Sequence, residues 1–389
     1  MDGDFGLEAP REGTDRMARG ARRARTLSEP RALRILWVAS NLGWSGGIGN
    51  VVARGARALA ERGHDVHVAG PTPDGEPGPL PGVVVHAFRK RRMKVMQLVD
   101  LVPLVRGIEP DVVHFHSAMP HGDVIAGLRW LRPWRDARHA PLLAVTAHSS
   151  RPYAKRRARI GLRAAGLVVV PSQWAAAHAQ SAGARADAIH VVPAGIDIGA
   201  QPDLAGRDDA VLALGRLKAV KNLDLLIDAF ASLASARPSW RLWIAGEGSE
   251  RAALAERARA AGLADRVELL GWIAGAEKER VLCRAAIGAA PSQRESFGGA
   301  LLEMQAHGIA CVASDTGGLA ELAEHGKAAR LVPPGDVAAL TRELAALMDD
   351  ASARQALARE GRRAAERYDW SEIAERYEVL YAAALASRS

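Results

Sequence analysis

From residue 34 onward, short apolar, β-branched runs alternate with longer stretches whose apolar positions recur at helical spacing. No other feature constrains the fold as strongly. Ile35-Leu36-Trp37-Val38-Ala39-Ser40 reads as a buried strand, and residues 48–62 then carry apolar side chains on one helical face. Further strand-like runs occupy 65–69, 83–87, 112–116, 142–147 and 167–170. A second cycle places strands at 211–214, 241–245, 267–270, 287–290 and 310–313, with helices at 222–236, 250–261 and 299–307. Continuous apolar runs are what strands buried on both faces require, and strands alternating with helices give a parallel sheet covered on both sides. The expected class is α/β, with two doubly wound domains facing each other across a cleft.

A chain of 389 residues is too long for one ordinary core, since domains run to roughly 100–200 residues. Residues 1–30 mix Asp, Glu, Gly and Arg with hardly any periodicity and are expected to form a flexible tail. The first domain is expected to span 31–198, a polar linker follows near residue 200, and the second domain spans 209–366. The 48% apolar and 25% charged shares belong to a globular protein. No run approaches the roughly 20 apolar residues of a membrane span, and the N-terminus lacks the apolar core of a signal peptide. Cys283 and Cys311 lie in separate apolar runs and read as small buried side chains in a reducing cytoplasm. A cytoplasmic protein is therefore expected, with peripheral contact at the inner face of a membrane left open.

Ligands of doubly wound sheets bind beyond the carboxyl ends of the strands, and several of those ends carry chemistry. Gly43-Trp44-Ser45-Gly46-Gly47-Ile48-Gly49-Asn50 is a glycine-rich loop opening a helix, which lets backbone N–H groups approach a phosphate. It is not the dinucleotide fingerprint, because the glycine spacing differs and no acidic residue ends the following strand. Leu214-Gly215-Arg216-Leu217-Lys218-Ala219-Val220-Lys221-Asn222 ends one strand and starts one helix. Arg216 and Lys221 there could neutralise a pyrophosphate without a metal. No Asp-x-Asp or His/Asp cluster suited to a nucleotide-bound divalent ion is apparent, so neither a metal nor another cofactor is expected.

The densest segment is Pro291-Ser292-Gln293-Arg294-Glu295-Ser296-Phe297-Gly298-Gly299-Ala300-Leu301-Leu302-Glu303. If Phe297-Gly298-Gly299 begins a helix, its free N–H groups lie beside the same phosphates. Glu295 then stands before the turn, in reach of sugar hydroxyls, and Glu303 lies a turn inside, in reach of a ribose. Two carboxylates also suit an acid and base pair for glycoside hydrolysis, but a helix interior is a poor place for such an acid.

Taken together the chain resembles the retaining, nucleotide-sugar-dependent glycosyltransferases of the GT-B fold, family 4, over about residues 34–383. The resemblance rests on Gly46-Gly47, His114-Phe115-His116, Thr146-Ala147-His148, Val170-Pro171-Ser172, Val192-Pro193-Ala194-Gly195-Ile196-Asp197, Gly215-Arg216 with Lys221-Asn222, Ala245-Gly246-Glu247-Gly248, Leu270-Gly271-Trp272, and the segment from Glu295 to Glu303. It implies two Rossmann-like domains, with a terminal helix over 367–389 returning to pack on the first. It further implies that Arg216 and Lys221 hold the diphosphate. Glu295, Ser296, Phe297, Gly298 and Gly299 hold the sugar, Glu303 the ribose, and Gly46 and Gly47 approach the phosphates from the other domain. Gly271, Trp272 and Ile273 contact the base, and His148, with His116, lies near the donor sugar. The sequence departs from the family pattern at Met304, at Gly308-Ile309-Ala310, and at Gly317-Gly318-Leu319-Ala320-Glu321. The expected activity is transfer of a sugar with retained anomeric configuration. A sugar-nucleotide epimerase on the same fold and a non-catalytic nucleotide-sugar binder are the alternatives.

The acceptor is expected to be a glycan, lipid or small molecule. Residues 86–163 carry sixteen Lys and Arg against five Asp and Glu, a larger surplus than the +8 of the whole chain. Within them Phe88-Arg89-Lys90-Arg91-Arg92-Met93-Lys94 leads into an apolar run ending near Val105, a pattern that can lie on an anionic bilayer. It also suits an ordinary core helix with a solvated basic start. Nucleic acid is not an expected partner, since aromatic residues are 5% and no stacking platform is visible.

Overall fold

A computed structural model describes residues 31–40, 42, 47–72, 79–88, 97–131, 140–148, 156–200, 204 and 206–388. The expected tail at 1–30, Gly46 and the basic run at 89–96 lie outside the described residues.

Two parallel sheets form. The first contains β1 (Arg34–Val38), β2 (Asp65–Pro71), β3 (Val83–Phe88), β4 (Val112–Phe115), β5 (Leu142–Thr146), β6 (Leu167–Val170) and β7 (Ile189–Val191) in the order β3-β2-β1-β4-β5-β6-β7. Its helices are α1 (Gly47–Glu61), α2 (Leu98–Ile108), α3 (Ala118–Leu131), α4 (Arg156–Ala164) and α5 (Gln173–Ser181). The second sheet contains β8 (Asp208–Leu214), β9 (Arg241–Ala245), β10 (Val267–Gly271), β11 (Ala285–Ala290), β12 (Ala310–Ser314) and β13 (Arg330–Val332) in the order β10-β9-β8-β11-β12-β13. With it come α6 (Leu223–Ala234), α7 (Arg251–Ala260), α8 (Gly275–Arg284), α9 (Gly299–Ala306), α10 (Gly317–Leu322), α11 (Val337–Asp349), α12 (Ala351–Glu366) and α13 (Trp370–Ala386).

Strand order reverses between β1 and β4 in one sheet and between β8 and β11 in the other. The carboxyl ends of such strand pairs are where this architecture leaves a crevice. Gly47 opens the helix that follows β1, His116 follows β4, Arg216 follows β8, and the segment ending at Glu295 follows β11. The two short edge strands β7 and β13 are absent from the expectation, because three residues carry too little periodicity to be read. β8 begins at Asp208, before the expected 211, and pairs with Ala285.

Each sheet has a core on both faces. Leu36 and Val38 enter one cluster while Ile35 and Trp37 enter the other, the alternation a pleated strand imposes. The terminal helix α13 belongs to the first domain's core: Trp370, Ile373, Tyr377 and Tyr381 pack against Trp37, Val52 and Leu59. The chain crosses between the domains twice, side by side, with Ile196 N–H donating to the Tyr368 carbonyl at 2.7 Å. A Cβ on Gly195 would fall 2.4 Å from the Trp370 ring, which accounts for the glycine at this crossing.

Cys311 is buried as expected, but Cys283 is exposed on the outer face of α8, where Leu282 supplies the buried contact. The apolar face of α2 is also accounted for within the fold. Leu101, Val105 and Ile108 are buried in the core, and only Val99 presents a large exposed apolar side chain from this helix.

Candidate active site

β8 ends at Leu214, and Gly215 (φ +135°) turns the chain so that Arg216 is exposed beyond the strand. A 3₁₀ turn, Ala219–Lys221, follows, and Asn222 in the left-handed region (φ +50°) redirects the chain into α6. β11 ends next to β8, and its outgoing loop is tied to that turn by the Gln293 N–H donating to the Val220 carbonyl at 2.8 Å. One pocket is therefore lined by Gly215, Arg216, Lys221, Ser292, Glu295 and Gly298. Inside it the Lys221 ammonium donates to the Glu295 carboxylate, both half-buried, whereas Arg216 forms no ion pair among the described residues.

Glycines make these strand ends fit. A Cβ on Gly246 would lie 1.8 Å from the Gly215 carbonyl oxygen, and one on Gly248 would lie 2.0 Å from that of Leu217. The Gly246-Glu247-Gly248 motif is thus a backbone-to-backbone contact between the loops after β9 and β8, locked by Leu217 N–H donating to the Glu247 carbonyl at 2.9 Å.

Gly298 has a left-handed φ of +108°, and a Cβ there would meet the Leu319 side chain at 2.6 Å, so the fold itself needs this glycine. Gly299, the first residue of α9, and Gly47, the first residue of α1, differ: among the described residues nothing lies within 4 Å of a Cβ on either, and neither is left-handed. Both are exposed at helix N-termini, where free N–H groups and the helix dipole favour an anion. Their lack of a side chain leaves room that the fold does not use.

Glu303 lies on the second turn of α9 and pairs with Lys278 of α8, both half-buried. Gly271 ends β10 with φ +73°, and its carbonyl accepts from Gly246 N–H at 2.6 Å. Trp272 beside it is 55% exposed, an apolar ring held in solvent. The Ile273 side chain is buried in the second domain's core, which leaves its backbone for the expected contact with a base.

In the first domain the histidines form a column. His114 and His116 stack with ring centroids 4.6 Å apart, and His116 and His148 follow at 5.8 Å. His116 is fully buried, with the Trp37 ring 4.1 Å away, so it lies behind His148 in the column and not on an exposed surface. His148 ends the column half-buried at the first domain's strand ends, and burial pushes its pKa down to about 4. Its imidazole is therefore neutral at pH 7. Its Nε2 is buried and has no hydrogen-bond partner among the described residues.

The segment carrying Glu295 is also tied to the first domain. Ser296 Oγ donates to the His148 carbonyl at 3.1 Å, and Ser172 Oγ donates to the Ser296 carbonyl at 2.6 Å. Glu321 of α10 accepts from the Gln173 and Trp174 N–H groups, each at 3.0 Å. Ser172 and Glu321 are absent from the expected site. The signal available was a serine placed to cap a helix and a glutamate three residues after a glycine pair, neither of which names a partner in another domain. Among the described residues no cluster of His, Cys, Asp and Glu is arranged to hold a metal ion.

Two family descriptions match successive parts of the chain: Glycosyltransferase Family 4 over residues 45–199 and Glycosyl transferases group 1 over 197–364. A phosphatidyl-myo-inositol mannosyltransferase of Mycobacterium leprae is 33% identical over 211 residues, covering 52% of this chain and 55% of that protein. The chain spans about half or less of the length of several curated relatives it matches. A D-inositol 3-phosphate glycosyltransferase of Pseudarthrobacter chlorophenolicus is 29% identical over 373 residues, 85% of this chain and 89% of that protein. The crystal structure of Anabaena Alr3699/HepE in complex with UDP-glucose superimposes with a TM-score of 0.73 at 21% identity, covering 91% of this chain and all of that one. The chain belongs to the group 1 glycosyltransferases, with the two Rossmann-like domains of the GT-B fold.

Proposed function

We propose that the protein transfers a sugar from a nucleoside-diphosphate donor to an acceptor, with retention of anomeric configuration. The observation that carries this reading is the pocket at the β8/β11 reversal, where Arg216, Lys221, Glu295 and the N-terminal turn of α9 converge. Two cations and a helix N-terminus suit a diphosphate, and the carboxylate suits sugar hydroxyls. Trp272 supplies a flat apolar surface for a base, and Glu303, released from Lys278, supplies an acceptor for ribose hydroxyls.

The carboxylate lining the pocket, Glu295, is engaged by Lys221 and is assigned to the sugar hydroxyls, not to attack. The reading is therefore same-face attack: the acceptor hydroxyl bonds to the anomeric carbon as the bond to the diphosphate oxygen breaks, and that oxygen takes the hydroxyl proton. Arg216 and Lys221 stabilise the charge growing on the leaving diphosphate. His148, neutral, offers an imidazole nitrogen to the sugar without adding charge. This chemistry needs no cofactor from the protein.

The acceptor is proposed to be lipid-linked or otherwise anionic, which the basic excess over residues 86–163 favours. The name of the mycobacterial phosphatidyl-myo-inositol relative agrees with it. No helix among the described residues is long and apolar enough to cross a membrane, so the contact proposed is peripheral. Flotation with anionic vesicles tests it, and binding that is absent or indifferent to salt refutes it.

Thermal-shift screening of nucleoside diphosphates and their sugars tests the donor site, because a ligand of the folded state raises the midpoint. Uridine compounds head the panel. Absence of a shift from every nucleoside diphosphate refutes the reading. Release of free nucleoside diphosphate upon turnover separates transfer from epimerisation, which keeps the sugar on its nucleotide.

A further inference from the structure

We propose that Ser172, Ser296 and Glu321 form a latch across the interdomain seam, by which the first domain sets the position of the Glu295–Gly298 loop carried by the second. Only the catalytic consequence rests on the function proposed above.

The connections run in sequence. Glu321 places both carboxylate oxygens on the first two N–H groups of α5, Gln173 at 3.0 Å and Trp174 at 3.0 Å. A free helix start needs such an acceptor, and a carboxylate there also meets the positive end of the helix dipole. Here it comes from the other domain. Glu321 sits on the six-residue α10, whose Gly318 N–H donates to the Glu295 carbonyl at 3.0 Å. A Cβ on Gly317 would fall 2.0 Å from that carbonyl oxygen, so α10 lies directly against the loop. The next residue is held from the first domain as well: Ser172 Oγ donates to the Ser296 carbonyl at 2.6 Å while accepting from Ala175 N–H at 3.0 Å. Ser296 Oγ returns a bond to the His148 carbonyl at 3.1 Å. Ser172 and Ser296 are both buried.

The seam beside these bonds is not packed solid. A cavity of about 160 Å³, lined in part by Ser172, Phe297 and Glu321, adjoins them. Beside this cavity the domains are connected by polar bonds, and such bonds break and re-form when domains move. With the latch closed, the Glu295 backbone is pinned from one side by α10 and the Ser296 backbone from the other by Ser172. With it open, the same loop keeps only its bonds within the second domain. These three are positioning residues: they act on the donor through the loop.

Hydrogen exchange on the full-length chain tests the latch without any substrate. In Glu321→Ala the amides of Gln173, Trp174 and residues 295–298 are expected to exchange about tenfold faster, with both sheets unchanged. Glu321→Gln, which keeps one carbonyl acceptor, is expected to fall between. Unaltered protection at 295–298 overturns the proposal, and so does a general loss of protection across either sheet, which would make Glu321 a folding residue. In the catalytic arm, UDP affinity by calorimetry is expected to stay within about twofold while turnover with the active nucleotide sugar falls about tenfold, partly restored in Glu321→Gln. Equal loss of affinity and turnover overturns the latch. A wild-type protein that binds no nucleoside diphosphate refutes the donor site, and the exchange arm then decides the latch alone.

Discussion

Lys221 and Glu295 are bonded to each other inside the pocket, so these two charges neutralise each other before any ligand arrives, while Arg216 beside them forms no ion pair among the described residues. A diphosphate must therefore compete with Glu295 for the ammonium, while also facing the carboxylate's repulsion. Glu295→Gln is expected to bind bare UDP more tightly, by about fivefold for a partly exposed pair worth roughly 1 kcal/mol, yet to turn over far more slowly. Calorimetry at low and high salt checks the first half and a product-release assay the second. Weaker UDP binding in this variant contradicts the assignment.

The glycines divide into those the fold needs and those it does not. In Gly299→Ala the new methyl meets open space, and alanine favours a helix over glycine by about 1 kcal/mol, so the melting midpoint should hold or rise. UDP affinity should nevertheless fall, because the methyl occupies the approach to the first N–H groups of α9. Gly317→Ala combines a φ of +54° with a Cβ 2.0 Å from a carbonyl oxygen and should lower the midpoint by several degrees. Its cost is of order 1–3 kcal/mol or more. A stable Gly317→Ala, or a Gly299→Ala with undiminished UDP binding, would reverse the division.

Why some of this was readable in the sequence follows from the same residues. Strands such as Arg241–Ala245 are buried and read as apolar runs, here from Leu242 onward; Gly215 and Gly246 mark strand ends where backbones touch, and Gly298 a helix start packed against Leu319. The pairing of Glu321 with Gln173 spans 148 residues and leaves no periodic trace in either segment. His116 shows the opposite limit. Its motif is legible, but whether a strand-end histidine faces a cleft or the core depends on Trp37 and His114 packing around it.

The histidine column makes folding sensitive to mild acid. Burial holds His114 at about 3 and His148 at about 4, both below the ordinary value of 6.5. Between pH 6.5 and those values the unfolded chain binds protons that the folded chain refuses. Stability is therefore full above pH 6.5 and declines as pH falls, by up to about 1.4 kcal/mol per pH unit for each histidine. His64 and His86, also lowered mainly by burial, act in the same direction. Urea unfolding at pH 7.5, 6.5 and 5.5 should show the decline only below 6.5, and His148→Gln should reduce its slope by about one proton. Equal stability at the three values refutes the column's role.

Tyr381 on α13 is 344 residues from Trp37, yet its hydroxyl accepts from the Trp37 indole N–H at 3.1 Å and shares a 2.5 Å hydrogen bond with His114 Nδ1. His114 Nε2 in turn meets Thr146 Oγ1 at 2.7 Å, so the terminal helix completes a polar network sealed inside the first domain. Tyr381→Phe keeps the ring and its packing and removes only the oxygen, leaving an indole N–H and an imidazole nitrogen buried and unpaired. Each such group costs about 1–3 kcal/mol. The substitution should lower the first domain's unfolding midpoint by roughly 2–4 °C per kcal/mol while leaving UDP affinity in the second domain within about twofold. Calorimetric melts with and without UDP check both halves. An unchanged midpoint would show that the hydroxyl is dispensable and that α13 is held by its apolar contacts alone.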